Sequence, residues 1–170
     1  MVSVPLSDSG ENADGGRRDF ARNRRDQEPS FEALPDSVPP QNLEAEEAVL
    51  GGILLDPDAI GRVADVLQPE AFYLNAHREI FRTALMLHSQ GKPTDLTAMS
   101  AWLADTDSLE KVGGNSRLIE LVERVPSTAS IEQVARLVMD KFLRRQLIRS
   151  GNEVIKLGFD QSLPMEQVLD

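Results

Sequence analysis

The 170 residues suit one domain with a tail, and they carry a net charge of −10 with a pI of about 4.7. The absence of cysteine excludes a disulfide framework, a thiolate nucleophile and cysteine-bound zinc. The acid excess argues against a surface built mainly to grip a phosphate backbone, and no apolar run approaches the ~18 residues a membrane span needs. The first residues show neither the basic start nor the apolar core of a secretory signal, so the cytoplasm is the expected compartment.

Residues 1–38 are rich in Ser, Gly, Asp, Asn and Arg and read as an unstructured tail. Arg17, Arg18, Arg22, Arg24 and Arg25 form a basic knot there, interleaved with Asp19 and Asp26. A solvated tail and a nucleic-acid arm are both open readings of it, the first favoured. Asn42 is then expected to cap a first helix, with Glu44, Glu46 and Glu47 as acids suited to its opening turns. Ala45, Ala48, Val49, Gly52 and Ile53 recur at helical spacing, with Leu50 and Leu54 widening the stripe. Gly51–Gly52 is the odd feature, because an interior glycine costs ~1 kcal/mol against alanine. Either the helix frays there or another helix packs closely on its backbone.

Asp56–Pro57 reads as a cap and first helical residue for a second helix reaching Leu67, with Ile60, Val63, Ala64 and Leu67 on its apolar face. Gln68–Pro69 breaks it, and a short apolar turn contains Phe72. Asn75 is expected to cap a third helix with Ile80, Phe81, Ala84, Leu85, Leu87 and His88 inward and Gly91 as its stop. Thr94 or Asp95 then caps a helix through Leu96, Met99, Trp102 and Leu103. A turn from Ser108 to Gly113–Gly114 leads to another helix marked by Leu118, Ile119, Leu121 and Val122. No run alternates with period two, so the chain reads as all-α.

Beyond Pro126 the character changes. Ser127 to Ser130 supplies a cap, and a helix from Ile131 through Leu157 would be ~40 Å long at ~1.5 Å per residue. Ile131, Val134, Val138 and Phe142 lie near one face; later, Leu143, Leu147 and Val154 lie on one side and Ile148 and Ile155 on another. A helix apolar on two sides should have two partners, unless it is simply buried in its own domain. One expected partner is a returning helix from Leu163 to Leu169, and the other a neighbouring subunit. The architecture is therefore a small helical head, 39–125, followed by a long helical hairpin and the start of a linker, 126–170. The chain stops at Asp170 inside an apolar-periodic segment with no stop signal, which reads as a piece of a longer protein.

Catalytic chemistry finds no support. The one Gly-Lys pair, Gly91–Lys92, is followed by Pro93 and lacks the leading glycine of a phosphate-binding loop. His77 and His88 would stand ~16 Å apart on one helix, too far to share a metal, and read as packing or capping residues. Glu46–Glu47, Asp56/Asp58 and Glu120/Glu123 read as acids of helix starts and solvated faces. No serine sits in a Gly-x-Ser-x-Gly elbow, and nothing gathers nucleophile, base and orienting group. No catalytic, cofactor-binding or metal-ligating residue is therefore assigned. What remains is a basic stripe, Lys141, Arg145 and Arg149 at i, i+4 and i+8, with Arg144 and Lys156 nearby. It is expected to pair with acids of an adjacent helix or to dock an acidic partner, ahead of contacting DNA.

The stretch Pro39–Asp56 (PPQNLEAEEAVLGGILLD) resembles the opening of the N-terminal domain of bacterial replicative DNA helicases of the DnaB type. Glu70–Phe81 (EAFYLNAHREIF), Gly91–Leu96, Val112–Gly114 and Val125–Ala129 follow in that family's order. The resemblance covers Pro39 to about Asp160. It implies an all-α head and a helical hairpin that pairs subunits into dimers, three dimers making a collar on a hexameric ring that docks primase. It also implies a separate ATP- and magnesium-dependent motor that moves on single-stranded DNA, none of whose motifs has a position in these residues. Leu143, Leu147 and Ile148 become self-association candidates, and Lys141, Arg145 and Arg149 docking candidates. The rivals are a stand-alone helical adaptor without a motor, a small helical hydrolase, and a nucleic-acid binder working through the arginine-rich tail.

Overall fold

Asn42 opens the first helix as its spacing predicts: its side-chain oxygen accepts the Ala45 N–H at 3.0 Å, satisfying one of the orphan donors of the first turn. In the computed structural model, residues 38–125, 130–160, 162 and 164 are described, all within the unit Val38–Asp170. The expected tail (Val38 apart), the cap residues 127–129 and the returning helix from Leu163 to Leu169 (Pro164 apart) lie outside them. The described residues contain helices and turns and no strand, in keeping with the all-α expectation.

The first helix, α1 (Leu43–Leu55), runs unbroken through Gly51–Gly52. A Cβ built on Gly51 would stand 2.1 Å from the Leu121 carbonyl oxygen and 2.6 Å from Val125 Cγ2, both belonging to the end of α5 (Gly114–Glu123) and the residues after it. One built on Gly52 would meet Ile131 Cδ1 at 3.2 Å. The glycine pair is therefore a close-packing site and not a frayed one. Around it Ala45, Val49, Leu50, Ile53 and Leu54 are buried, which makes α1 the axis on which the other helices pack.

The second helix is shorter than expected. α2 covers Ala59–Val63, because Asp56 accepts the Asp58 N–H on its side chain and the Ala59 N–H on its carbonyl, forming a turn in place of a cap. The chain goes on in turns to Leu67, and Pro69 opens a 3₁₀ turn, Pro69–Ala71. Asn75 is likewise the first residue of α3 (Asn75–Ser89) and not its cap. Its side chain accepts from Arg78 Nη1 at 3.1 Å. Ile80, Phe81, Ala84 and Leu87 face inward, with the Phe72 and Phe81 ring centroids 4.9 Å apart. His88 is exposed, contrary to the inward placement expected for it. Gly91, at φ 68°, ends the helix by donating to His88 O while Lys92 N–H reaches back to Leu87 O.

Asp95 caps α4 (Leu96–Asp105), accepting the Ala98 N–H at 2.9 Å, whereas Thr94 turns inward and donates to Ile53 O. Met99 and Leu103 are buried; Trp102 is half-buried, with the Lys92 ammonium 4.7 Å from its ring centre. A 3₁₀ turn, Glu110–Val112, ends at Gly113 (φ 98°), and α5 then brings Leu118 and Leu121 inside.

The last helix, α6 (Ile131–Phe159), has 29 residues and is about 44 Å long at ~1.5 Å per residue. Its first half buries Ala135, Val138 and Phe142 against the head. Arg145 is the next residue in that register and is also buried: it donates to Pro40 O at 2.7 Å and to Ala71 O at 2.5 Å, over the rings of Tyr73 and Phe142. From Gln146 to Asp160 every residue is exposed.

Two stability measurements test this packing. Gly51→Ala should lose about 2 kcal/mol or more in urea unfolding, because overpacking against a backbone carbonyl outweighs the ~1 kcal/mol gained in helix propensity. Gly151→Ala, where nothing lies within 4 Å, should instead be neutral or gain up to about 1 kcal/mol. Equal behaviour of the two would contradict the close crossing. Arg145→Met should cost about 3 kcal/mol, since charge-assisted bonds to two carbonyls are removed together, while exposed Arg149→Met should stay within about 0.5 kcal/mol of the parent. An Arg145→Met variant as stable as Arg149→Met would refute the clamp.

Candidate functional site

The half of α6 that leaves the head carries a series of uncovered apolar residues. Leu143 is 55% exposed, Leu147 73% and Ile148 44%; Val154 and Ile155 continue the series at 68% and 52%. A run of large apolar side chains on one projecting helix marks an interaction surface, whereas scattered single ones do not. The spacing that separates these residues from Ala135, Val138 and Phe142 is what turns them away from the head. The helix has no proline and only Gly151 and Gly158 as weak points, so the same register continues from the buried half into the exposed one.

The basic stripe does not act as one face. Lys141 is half-buried and lies 3.7 Å from Asp140. Arg149 is exposed and donates to Gln146 Oε1 at 3.4 Å. Arg145, between them, is the clamp described above, buried and bonded to two carbonyls of the head. Burial works against its charged form first, and the nearby Arg78 and Arg149 add to that, while Glu46 acts in the opposite sense. Periodicity carried the signal: Ala135, Val138, Phe142 and Arg145 repeat at intervals of three and four, the spacing of a buried face.

Sequence reasoning also took Glu46 and Glu47 for acids of a solvated helix start, and the structure corrects both. Glu46 is buried, with Oε1 accepting the Tyr73 N–H at 2.7 Å and Oε2 2.8 Å from His77 Nδ1. His77 Nε2 faces Arg117 Nη2 at 3.4 Å, and a guanidinium has only donors, so Nε2 accepts and Nδ1–H donates to Glu46. Glu47 holds Arg117 at 2.6 Å and Arg124 at 2.9 Å. Burial pushes the Glu47 carboxyl up, but its bonds to these two arginines outweigh that and leave it below the usual carboxylate range. The network ties α1 to α3 and α5 and has the form of interior ion pairing.

Two open surface grooves lie elsewhere on the domain. One, of about 490 Å³, lies between α1, the end of α5 and α6 and includes Ala48, Val134 and Leu137. The other, of about 450 Å³, lies between α4 and α5 and includes Leu96, Ala101 and Ile119. Neither places a nucleophile beside a base in the manner covalent catalysis needs. Among the described residues no three His, Asp or Glu side chains are grouped to hold a metal ion, and no helix is long and apolar enough to cross a membrane.

Comparison with known proteins agrees with the resemblance in the sequence. Residues 38–140 match the DnaB-like helicase N terminal domain family. The replicative DNA helicase DnaB of a Nostoc species is 56% identical over 133 residues, which make up 78% of this chain and 15% of that protein. The crystal structure of the N-terminal domain of DnaB helicase from Mycobacterium tuberculosis superposes with a TM-score of 0.72 at 35% identity, covering 78% of this chain and 96% of that one. A DnaB-like replicative helicase, solved in a study that also describes its interactions with primase, gives a TM-score of 0.64 at 30% identity over 75% of this chain and 30% of that one. The chain thus spans a minor part, 15%, of the Nostoc relative's length. Sequence, helix order and three-dimensional superposition agree, and the chain belongs to the DnaB-like helicase N-terminal domain family.

Proposed function

We propose that this chain is the assembly and protein-docking domain of a hexameric, ATP-dependent replicative DNA helicase that acts in replication initiation and primosome formation in the cytoplasm. The observation that carries the reading is the projecting half of α6, with Leu143, Leu147 and Ile148 uncovered on a domain of this family. In this reading residues 126–170 form a hairpin whose exposed side pairs with a second copy, and three such pairs make a collar. Apolar area on two sides of one helix suits this arrangement, since one side can meet the returning segment and the other a neighbouring subunit. Lys141 and Arg149 then serve as polar docking residues at the edge of the surface. Primase is the proposed docking partner, by analogy with the DnaB-like helicase whose solved structure is described with it. ATP and magnesium belong to the motor of the whole protein, as does contact with single-stranded DNA.

Light scattering tests assembly. The chain should scatter as a dimer or larger, and Leu147→Asp or Ile148→Asp should lower the mass toward a single chain while circular dichroism shows the helical content retained. A folded variant of unchanged mass would remove these residues from the interface. Calorimetric titration with the C-terminal domain of the host primase tests docking. Saturable binding, with one partner per two or more chains, is the expected result. Absence of heat from a folded, assembled chain would sink the primase assignment and leave an assembly role alone.

A further inference from the structure

Where α6 leaves the head, Arg78, Arg145 and Arg149 line one small pocket of about 70 Å³, together with Glu70, Phe142 and Gln146. Three guanidinium groups around so small a space are unusual on a chain of net charge −10. Their partners make the imbalance plain. Arg78 donates to Phe72 O at 2.7 Å, Asn75 Oδ1 at 3.1 Å and Tyr73 O at 3.3 Å. Arg145 donates to Pro40 O and Ala71 O, and Arg149 to Gln146 Oε1. All of these acceptors are neutral. Arg62, Arg82, Arg117, Arg124 and Arg144, by contrast, each hold a carboxylate. Glu70, the one acid in the pocket wall, is directed to Arg82 at 3.5 Å. The pocket's positive charge is thus held in place by carbonyl and amide oxygens; Glu46 acts on Arg145, but no carboxylate is bonded to any of the three guanidinium groups in the hydrogen bonds above.

We propose that this pocket receives the carboxylate of an acidic side chain from the protein segment that covers the exposed half of α6. The proposal deepens the docking reading and rests on it only in taking the partner to be a protein. The space suits one carboxylate, and guanidinium groups bind that planar group through paired N–H donors. The exposed apolar surface begins beside the pocket, because Leu143 and Leu147 directly follow Phe142 and Gln146 in the chain. A partner that lays apolar residues along that surface brings a neighbouring acid over Arg149. A nucleic acid would meet the field of the whole acidic chain with no return from the apolar residues, so a protein segment is the better match. Arg78 enters as a recognition residue that the spacing along α6 does not show, being supplied by α3.

The test uses the folded chain with arginine Nε–Hε resonances followed by NMR. Three probes are titrated separately: a hexaglutamate peptide, inorganic phosphate and a thymidine oligonucleotide. The peptide should shift the Arg78, Arg145 and Arg149 signals saturably, and Arg149→Gln should weaken that binding by about tenfold while Arg149→Lys retains most of it. Because Arg149 is exposed and ties nothing to the head, the fold of both variants is expected to be that of the parent. Unmoved arginine signals would overturn the proposal, as would shifts produced by phosphate or the oligonucleotide and not by the peptide. The same variants titrated with primase separate the two readings. Primase binding without peptide binding removes the pocket and keeps the docking domain, and peptide binding without primase binding does the reverse.

Discussion

The head depends on one close approach, that of the Gly51 backbone to the Leu121 carbonyl. A side chain at Gly51 would occupy the volume of the last turn of α5, so the crossing exists only because that position is glycine. The helix gives up ~1 kcal/mol of propensity there, and the loss is offset by the apolar area that α1 and α5 bury together. Gly52, one residue on, meets Ile131 at the start of α6. A single dipeptide therefore sets the distance of both α5 and α6 from the central helix, and through α6 it sets where the exposed surface begins.

The polar interior depends on the same crossing. With α5 held close, Arg117 and Arg124 reach Glu47, and Arg117 meets His77 from the other side of Glu46. Buried acids of this kind are costly to leave unpaired, so Glu46 and His77 specify the relative placement of α1 and α3 more than they add to stability. Arg145 extends the logic to α6. It joins the long helix to Pro40, just before α1, and to Ala71, just before α3, which fixes its angle of departure from the head at two points.

Much of this was legible in the sequence where local chemistry decides. The cap at Asn42, the stop at Gly91, the turn at Gly113 and the apolar stripes of α1, α3 and α6 follow from short-range rules, and so did the family resemblance. Asp56 and Asn75 misled because each side chain was free to choose between a helix cap and another partner, and the choice was local but not unique. Glu46 and Arg145 misled for a different reason. Their burial depends on partners 27 to 105 residues away in sequence, such as Tyr73 for Glu46 and Pro40 for Arg145. The periodic position of Arg145 was visible, but its charge argued for solvent, and only the two carbonyls waiting for it reverse that argument.

The exposed half of α6 poses the opposite problem, since its conformation is regular while its residues from Gln146 on are exposed. A helical segment of about 14 residues is marginal in water without tertiary support. Residues 146–159 draw continuity from the anchored half through Phe142 and Arg145, which spares them the cost of nucleation, but nothing in that continuity offsets the exposure of Leu147, Ile148, Val154 and Ile155. Burial by another segment or another chain is what would favour keeping these side chains apolar. A clamp at Arg145 suits that purpose, because a surface offered to a partner binds with less loss of freedom when its direction is already fixed. The buried arginine and the exposed leucines are thus two parts of one arrangement: the first holds the helix at a set angle, and the second are what that angle presents.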